Sequence, residues 1–211
     1  MTADKDARFW DRIARKYAAS PVADTEGYER TLARTRQYLQ PADGVLEIGC
    51  GSGTTAIKLA PSVEHYVATD ISSEMIAIGR EKAQAEGCAN ITFEVSTPEA
   101  SPWPDATFNA VLAFNVLHLL PTREQALRTL HRLLKPGGLF ISKTICMKGW
   151  NSLLRLALPL AQAMGQAPYV AAFSAEELER EIEAAGFDIV ERERHASRGK
   201  DPRPFIVARR V

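Results

Sequence analysis

The chain has 211 residues, of which 45% are hydrophobic and 25% charged, the size and make-up of one well-buried globular domain. Its 26 basic residues are matched by 26 acidic ones, so no overall field draws it to nucleic acid or an anionic membrane, and any basic patch must be local. Three separated cysteines, Cys50, Cys88 and Cys146, form no CxxC pair, and the four histidines lack metal-ligand spacing with them; this argues against a metal centre and for a reducing cytoplasm.

The N-terminus "MTADKDARFW" is charged, unlike a secretory leader, and the apolar run "LLRLALPLAQAM" is broken by Arg155 and Pro159, so no transmembrane segment is expected. Residues 6 to about 39 read as two short helices, with Phe9, Trp10, Ile13 and Tyr17 on one apolar stripe, "SPVADTEG" between them and Pro41 after the second. Apolar strand-like runs then alternate with amphipathic ones: "GVLEIG", "TTAIKLA", "HYVATD", "SSEMIAIGREKAQAEG", "ITFEV", "FNAVLAFN", "TREQALRTLHRLLKPGG" and "LFISKTI". That alternation predicts a parallel sheet covered on both faces. Gly87 ends the helix opened by Ser72 and Ser73, "KPGG" stops the next, and "SAEE" at 174–177 has capping-box form before a helix that stops at Gly186. "FDIVERER" and "PFIVARRV" follow with no helix between them, which predicts an antiparallel pair.

The stretch "VLEIGCGSG" carries the chemistry. Gly49, Gly51 and Gly53 between a strand and a helix let backbone N–H groups and a positive helix end approach a ligand. Thr54 stands where a dinucleotide-binding turn has Gly or Ala. Asp70 closes the second strand, where a carboxylate meets two ribose hydroxyls or caps the next helix. Glu47, at the end of a buried strand, needs a cation or donors to meet it, and a ligand ammonium would do so.

With "PWPDATFNAVLAFNVLHLL" and "LKPGG", this stretch resembles the class I S-adenosylmethionine-dependent methyltransferases, above all the small bacterial ones. The resemblance runs from "FWDRIARKYA" to the last strand and implies one Rossmann-like α/β domain over 1–211. Its seven-stranded sheet would have the order 3-2-1-4-5-7-6, strand 7 antiparallel, and helices on both faces. It also implies that S-adenosylmethionine is the methyl donor and S-adenosylhomocysteine the product. The glycine turn with Cys50, a small packing residue, would hold the methionine end, Glu47 the amino group, Asp70 the ribose, and Ile71 and Met75 would flank the cofactor. Where many relatives have an Asp on the adenine amino group, this chain has Thr97, followed by Pro98, which has no N–H to give. Glu99 or a neighbouring backbone group takes over, or adenine is held by packing against Ile71 and Pro98.

Methyl transfer from a sulfonium is an in-line displacement with an activated donor, so few catalytic residues are obligatory. Asn115 follows the fourth strand beside the cofactor, and His118 is the candidate base, with a structural histidine as the alternative. Tyr17 and Trp10 close over the ligand or pack in the core, residues 1–40 forming a helical lid. The 148–172 insertion reads as a second lid over a small-molecule acceptor or as ordinary packing. Lys143 and the loop "HASRGKDPR", with Arg198, Lys200 and Arg203 against Asp201, would suit an acceptor bearing a carboxylate or phosphate, or serve solubility. No paired carboxylates with metal spacing follow the fourth strand. A cofactor-binding protein without transferase activity and an NAD-dependent oxidoreductase are the other readings, and the oligomeric state is left open.

Overall fold

The strands arise where apolar runs are covered from both sides. In the computed structural model, which describes residues 3–148, 162, 166–199 and 201–211, the elements in chain order are α1 (Ala3–Ala18), α2 (Thr25–Tyr38), β1 (Gly44–Ile48), α3 (Thr54–Leu59), β2 (His65–Asp70), α4 (Ser73–Ala85), β3 (Ile91–Val95), β4 (Phe108–Phe114), α5 (Arg123–Leu133), β5 (Leu134–Lys143), α6 (Ala175–Ala184), β6 (Phe187–Glu193) and β7 (Phe205–Arg210). They build a seven-stranded sheet in the order β3-β2-β1-β4-β5-β7-β6. β7 is antiparallel to both β5 and β6, as expected.

Alternating strand residues feed two apolar layers. Val45, Leu112, Ile141 and Val207 pack with Leu32 of α2, Ile57 and Leu59 of α3 and Ile76 of α4. Leu46, Val111, Phe140 and Ile206 pack with Leu127 and Leu130 of α5 and Leu178 and Ile182 of α6. Period-two alternation in the strands and the apolar stripes of the helices therefore meet on the two faces of one sheet. The expected stops hold: Gly87 follows α4 at φ 68°, and Ser174 and Glu177 form a capping box at α6. One boundary differs. β5 starts at Leu134 rather than after "KPGG", because Leu134 pairs with Phe108 ahead of a register shift in the strand pair, with Gly137 at φ 76°.

Parallel strands present their carboxyl ends to one edge, and since β6 runs the same way, the loop 194–204 emerges there too. α1 reaches that edge by docking on α4. Ala14 packs on Met75 and Ile78, and Asp11 Oδ1 accepts the Ser72 hydroxyl at 2.7 Å and the Glu74 N–H at 3.1 Å. A side chain of one helix thus satisfies the free N–H end of another. Residues 149–161 and 163–165 of the expected insertion lid, and Lys200, lie outside the described residues. The described flanks of the insertion are tied down: Tyr169 N–H to Asp6 Oδ1 at 3.0 Å, Ala171 N–H to His118 O at 2.8 Å, Lys148 N–H to Phe173 O at 3.0 Å. Among the described residues no helix is long and apolar enough to cross a membrane.

Asp11→Ala should cost about 1 kcal/mol, the ordinary value of a helix cap. Thermal unfolding should register the loss, and limited proteolysis should cut within α1 before the rest of the chain.

Candidate functional site

A cavity of about 1050 Å³ opens at the carboxyl edge of the sheet, at the upper end of the usual range for ligand pockets, about 300–1000 Å³. Its walls come from the glycine turn after β1, the ends of β2, β4 and β5, the segment 96–99 after β3, and α1 and α2.

At one end two buried acids face the space. Asp70 is held by backbone donors, Gly51 N–H on Oδ2 at 2.8 Å and Ser72 N–H on Oδ1 at 2.9 Å; burial still raises its pKa. Glu47, 2% exposed, accepts the Tyr66 hydroxyl at 2.8 Å. Burial pushes its pKa up to about 7, the Tyr66 bond pulls it down, and Asp70 raises it again. Two carboxylates sharing one cavity with few donors are suited to a cationic or hydroxyl-rich ligand.

The three glycines of the turn all have positive φ, but for different reasons. A side chain at Gly49 would run into Val116, and one at Gly53 into the Phe93 ring at 2.7 Å. These two allow close packing inside the protein. At Gly51 the nearest atom is Tyr17 Cε1 at 4.0 Å, so this glycine alone leaves its empty side to the cavity. That cradle and the acids are the features an aminoacyl nucleoside would use.

Of the residues expected at the site, Trp10, Tyr17, Glu47, Gly49, Cys50, Gly51, Asp70, Ile71, Met75, Thr97, Pro98, Glu99, Asn115 and Lys143 all line the cavity. Trp10 and Tyr17 both line the cavity; their rings meet edge to face with centroids 5.9 Å apart, and Trp10 packs on the α1–α4 core. The Thr97 hydroxyl is taken by the Ala100 N–H at 3.3 Å, and Glu99 accepts the Thr122 hydroxyl at 2.7 Å. Asn115 is left-handed at φ 53°, its N–H bound to Lys143 O at 2.7 Å, a conformation that a non-glycine residue keeps at a cost of order 1–3 kcal/mol.

Three residues are placed otherwise. Gly53 supports the turn without lining the cavity. His118 is not on the cavity wall; its Nδ1 lies 3.0 Å from Thr144 Oγ1, and burial lowers its pKa to about 4. Arg198 is exposed and off the wall. Among the described residues, the basic one of that loop which reaches the cavity is Arg203, bound to Asp201 at 3.1 Å.

Sequence reasoning missed Asp24, Tyr28, Thr31 and Lys82, which also line the space. Thr31 lies 3.0 Å from Lys143 Nζ, and Lys82 donates to Ser52 and Thr54 at 3.0 Å each. The only signal for Tyr28, Thr31 and Lys82 was membership of amphipathic helices that face the sheet edge, while Asp24 lies between the first two helices as the cap of α2.

Residues 45–138 match the methyltransferase-domain family. The chain is similar to the uncharacterized methyltransferase YcgJ of Bacillus subtilis (strain 168), 33% identical over 97 residues that make up 46% of this chain and 38% of that one. It is also similar to the ubiquinone/menaquinone biosynthesis C-methyltransferase UbiE of Geobacter sulfurreducens, 40% identical over 100 residues, 44% of this chain and 38% of that one. The chain thus spans well under half the length of these curated relatives. Among solved structures, the [4+2]-cyclase SpnF superposes with a TM-score of 0.80 at 19% identity, covering 100% of this chain and 97% of that one, a likeness of fold.

Gly53→Ala should destabilise the fold, since its Cβ would meet Phe93 and its φ is left-handed. Gly51→Val should reduce ligand binding far more than Gly53→Ala does for the same loss of melting temperature, as calorimetry and thermal unfolding will show.

Proposed function

We propose that this chain, a class I S-adenosylmethionine-dependent methyltransferase by its domain match and sheet order, moves a methyl group to oxygen or nitrogen of a small-molecule acceptor with an apolar body. The observation that carries the reading is one cavity with an acidic end at Glu47, Asp70 and the Gly51 cradle by β1 and β2, and a second end at Thr31, Lys143 and Arg203 by β5, with apolar side chains such as Val22 and Leu119 also on its walls.

When bound, S-adenosylmethionine supplies an electrophilic methyl group on a positively charged sulfur. Toward it, Asp70 offers its remaining lone pairs to ribose hydroxyls, Glu47 meets the ammonium, and Gly51 leaves room for the chain between them. Pro98, Ile71 and Thr97 offer a mainly packing surface to the adenine, with Glu99 at its edge. The apolar walls exclude water, and Asn115 holds the wall between the two ends. Lys143 and Arg203 support an acceptor with a negatively charged or strongly polar head, although Asp201 takes part of their charge. His118 in this reading is a structural histidine.

A second reading, cofactor binding without methyl transfer, draws support from the Thr97–Pro98 departure and from the likeness of fold to a [4+2]-cyclase. Calorimetry and a transfer assay separate the two. S-adenosylmethionine should bind the wild type, and Asp70→Ala should weaken binding by roughly 1–3 kcal/mol. Release of S-adenosylhomocysteine with an acceptor panel is the result expected of a transferase. Tight binding with no transfer to any acceptor would favour the second reading, and no binding would remove both.

The pH dependence of binding follows from Glu47. An ammonium group favours the carboxylate form, whereas the free protein holds its pKa at about 7. Affinity should therefore be full above pH 7 and fall below it, approaching about tenfold per pH unit. Calorimetry across pH 5.5 to 8.5 should show proton release on binding near neutrality, and Glu47→Gln should flatten the profile. The sign for stability is opposite. Because the folded pKa is raised, Glu47 costs the unliganded fold nothing below the ordinary Glu range; the cost grows as pH rises from that range to about 7 and is constant above it.

A further inference from the structure

Among the described residues, three cations line the cavity: Lys82, Lys143 and Arg203. Asp201 lies within ion-pair distance of the last two. Lys82 differs from them. No described carboxylate pairs with it; Glu86, one turn further along α4, favours its charge only from a distance, and burial works against that charge. Two hydroxyls hold its ammonium instead, Ser52 Oγ and Thr54 Oγ1, each at 3.0 Å. An ammonium has three protons to donate, so one remains for a ligand.

The lysine reaches the turn because α4 comes very close to it there. A Cβ at Gly53 would lie 3.1 Å from Gly79 Cα, so two facing glycines bring the helix against the turn. Lys82 stands three positions after Gly79 on α4, on the same side of the helix, and its long side chain covers the remaining distance. Ser52 directly follows Gly51, whose empty side faces the cavity, and Thr54 opens α3. Thr54 is also the residue that replaces the Gly or Ala of a dinucleotide-binding turn. Its hydroxyl here supports a cation.

Glu47 ends the strand before the turn, and Lys82 bears on two residues within it. A buried carboxyl and a lysine without a carboxylate partner suit a ligand group that carries both charges on one carbon, which is the chemistry of an α-amino acid. A purely cationic or hydroxyl-rich ligand would leave Lys82 unused.

We propose that Lys82, steadied by Ser52 and Thr54, binds the carboxylate of the cofactor's amino-acid end while Glu47 meets its ammonium. The proposal rests on the S-adenosylmethionine reading above and gives it selectivity, since an adenosyl ligand lacking the carboxylate forgoes this contact. Glu47 and Asp70 repel a carboxylate, so the two charges of the ligand also fix its direction in the turn. S-adenosylhomocysteine carries the same group. The contact therefore strengthens substrate and product binding alike and leaves the rate of the chemical step unchanged.

Calorimetry with two thioethers tests the assignment: S-adenosylhomocysteine, and 5′-(3-aminopropylthio)-5′-deoxyadenosine, which is the same molecule without its carboxylate. The wild type should bind the first about tenfold more tightly, the value of one charge-assisted hydrogen bond to a half-buried lysine. Lys82→Met should erase that difference, weakening S-adenosylhomocysteine about tenfold and leaving the decarboxylated ligand unchanged. Ser52→Ala combined with Thr54→Val keeps the charge but removes its supports, and should shrink the difference to about threefold. The wild-type comparison and this double variant decide the matter even where thermal unfolding shows Lys82→Met to be misfolded. Equal affinity of the wild type for the two ligands, or an equal loss of both in Lys82→Met, would overturn the proposal, the second result making Lys82 a support of the turn alone. A wild type that binds neither ligand is a separate outcome, which removes the cofactor reading itself and the proposal with it.

Discussion

The hydrogen bond from the Gly51 N–H to the Asp70 carboxylate, 2.8 Å long, ties together the ends of two adjacent buried strands, and the cavity is organised around it. Without it the left-handed turn after β1 would keep only the Cys50 N–H bond to Thr69 O as an anchor to β2, and Asp70 would be a buried acid with one donor fewer. The same carboxylate accepts from Ser72, whose hydroxyl caps α4 and meets Asp11 of α1. One side chain therefore sets the turn, the start of the following helix and the seat of the N-terminal helix. A buried carboxylate is costly by itself, and this arrangement offsets the cost with backbone donors that the fold has to satisfy in any case.

The glycine-turn end of the cavity was legible because its residues are contiguous. Gly49 to Gly53, Glu47 and Asp70 sit at fixed offsets in two neighbouring strands, and the strand–helix alternation places those strands side by side. What the glycines do individually was not legible: that Gly49 and Gly53 relieve contacts with Val116 and Phe93 depends on side chains dozens of positions away. The opposite end had no local signature. Thr31 lies in a helix whose apolar pattern says only that it is covered, and His195 lies in what reads as a polar loop. Their contact spans 164 positions and exists because β7 inserts between β5 and β6, carrying the loop back over α2. Arg203 rather than Arg198 reaches the cavity for the same reason. It adjoins the start of β7, while Arg198 lies out at the loop tip.

His118 illustrates a different limit. Its position after β4 is right for a ligand contact, but the short helical turn 117–119 gives Leu119 to the cavity and His118 to Thr144. A residue's place in the chain sets which edge it reaches. The rotation of a single turn decides which neighbour faces inward, and no sequence period constrains a turn that short.

The position of β7 has a consequence for how the molecule is made. Residues 205–210 lie between β5 and β6 rather than at a sheet margin, so during synthesis β5 keeps an open edge until they emerge. The walls built from residues 44–70 can be in place well before that, whereas Lys143, Thr31 and His195 are brought together only when Phe205 arrives behind the imidazole ring. Domains acquire structure as the chain lengthens. Here the half of the cavity that would receive S-adenosylmethionine can ripen first, and the half that would receive the acceptor closes with the last strand.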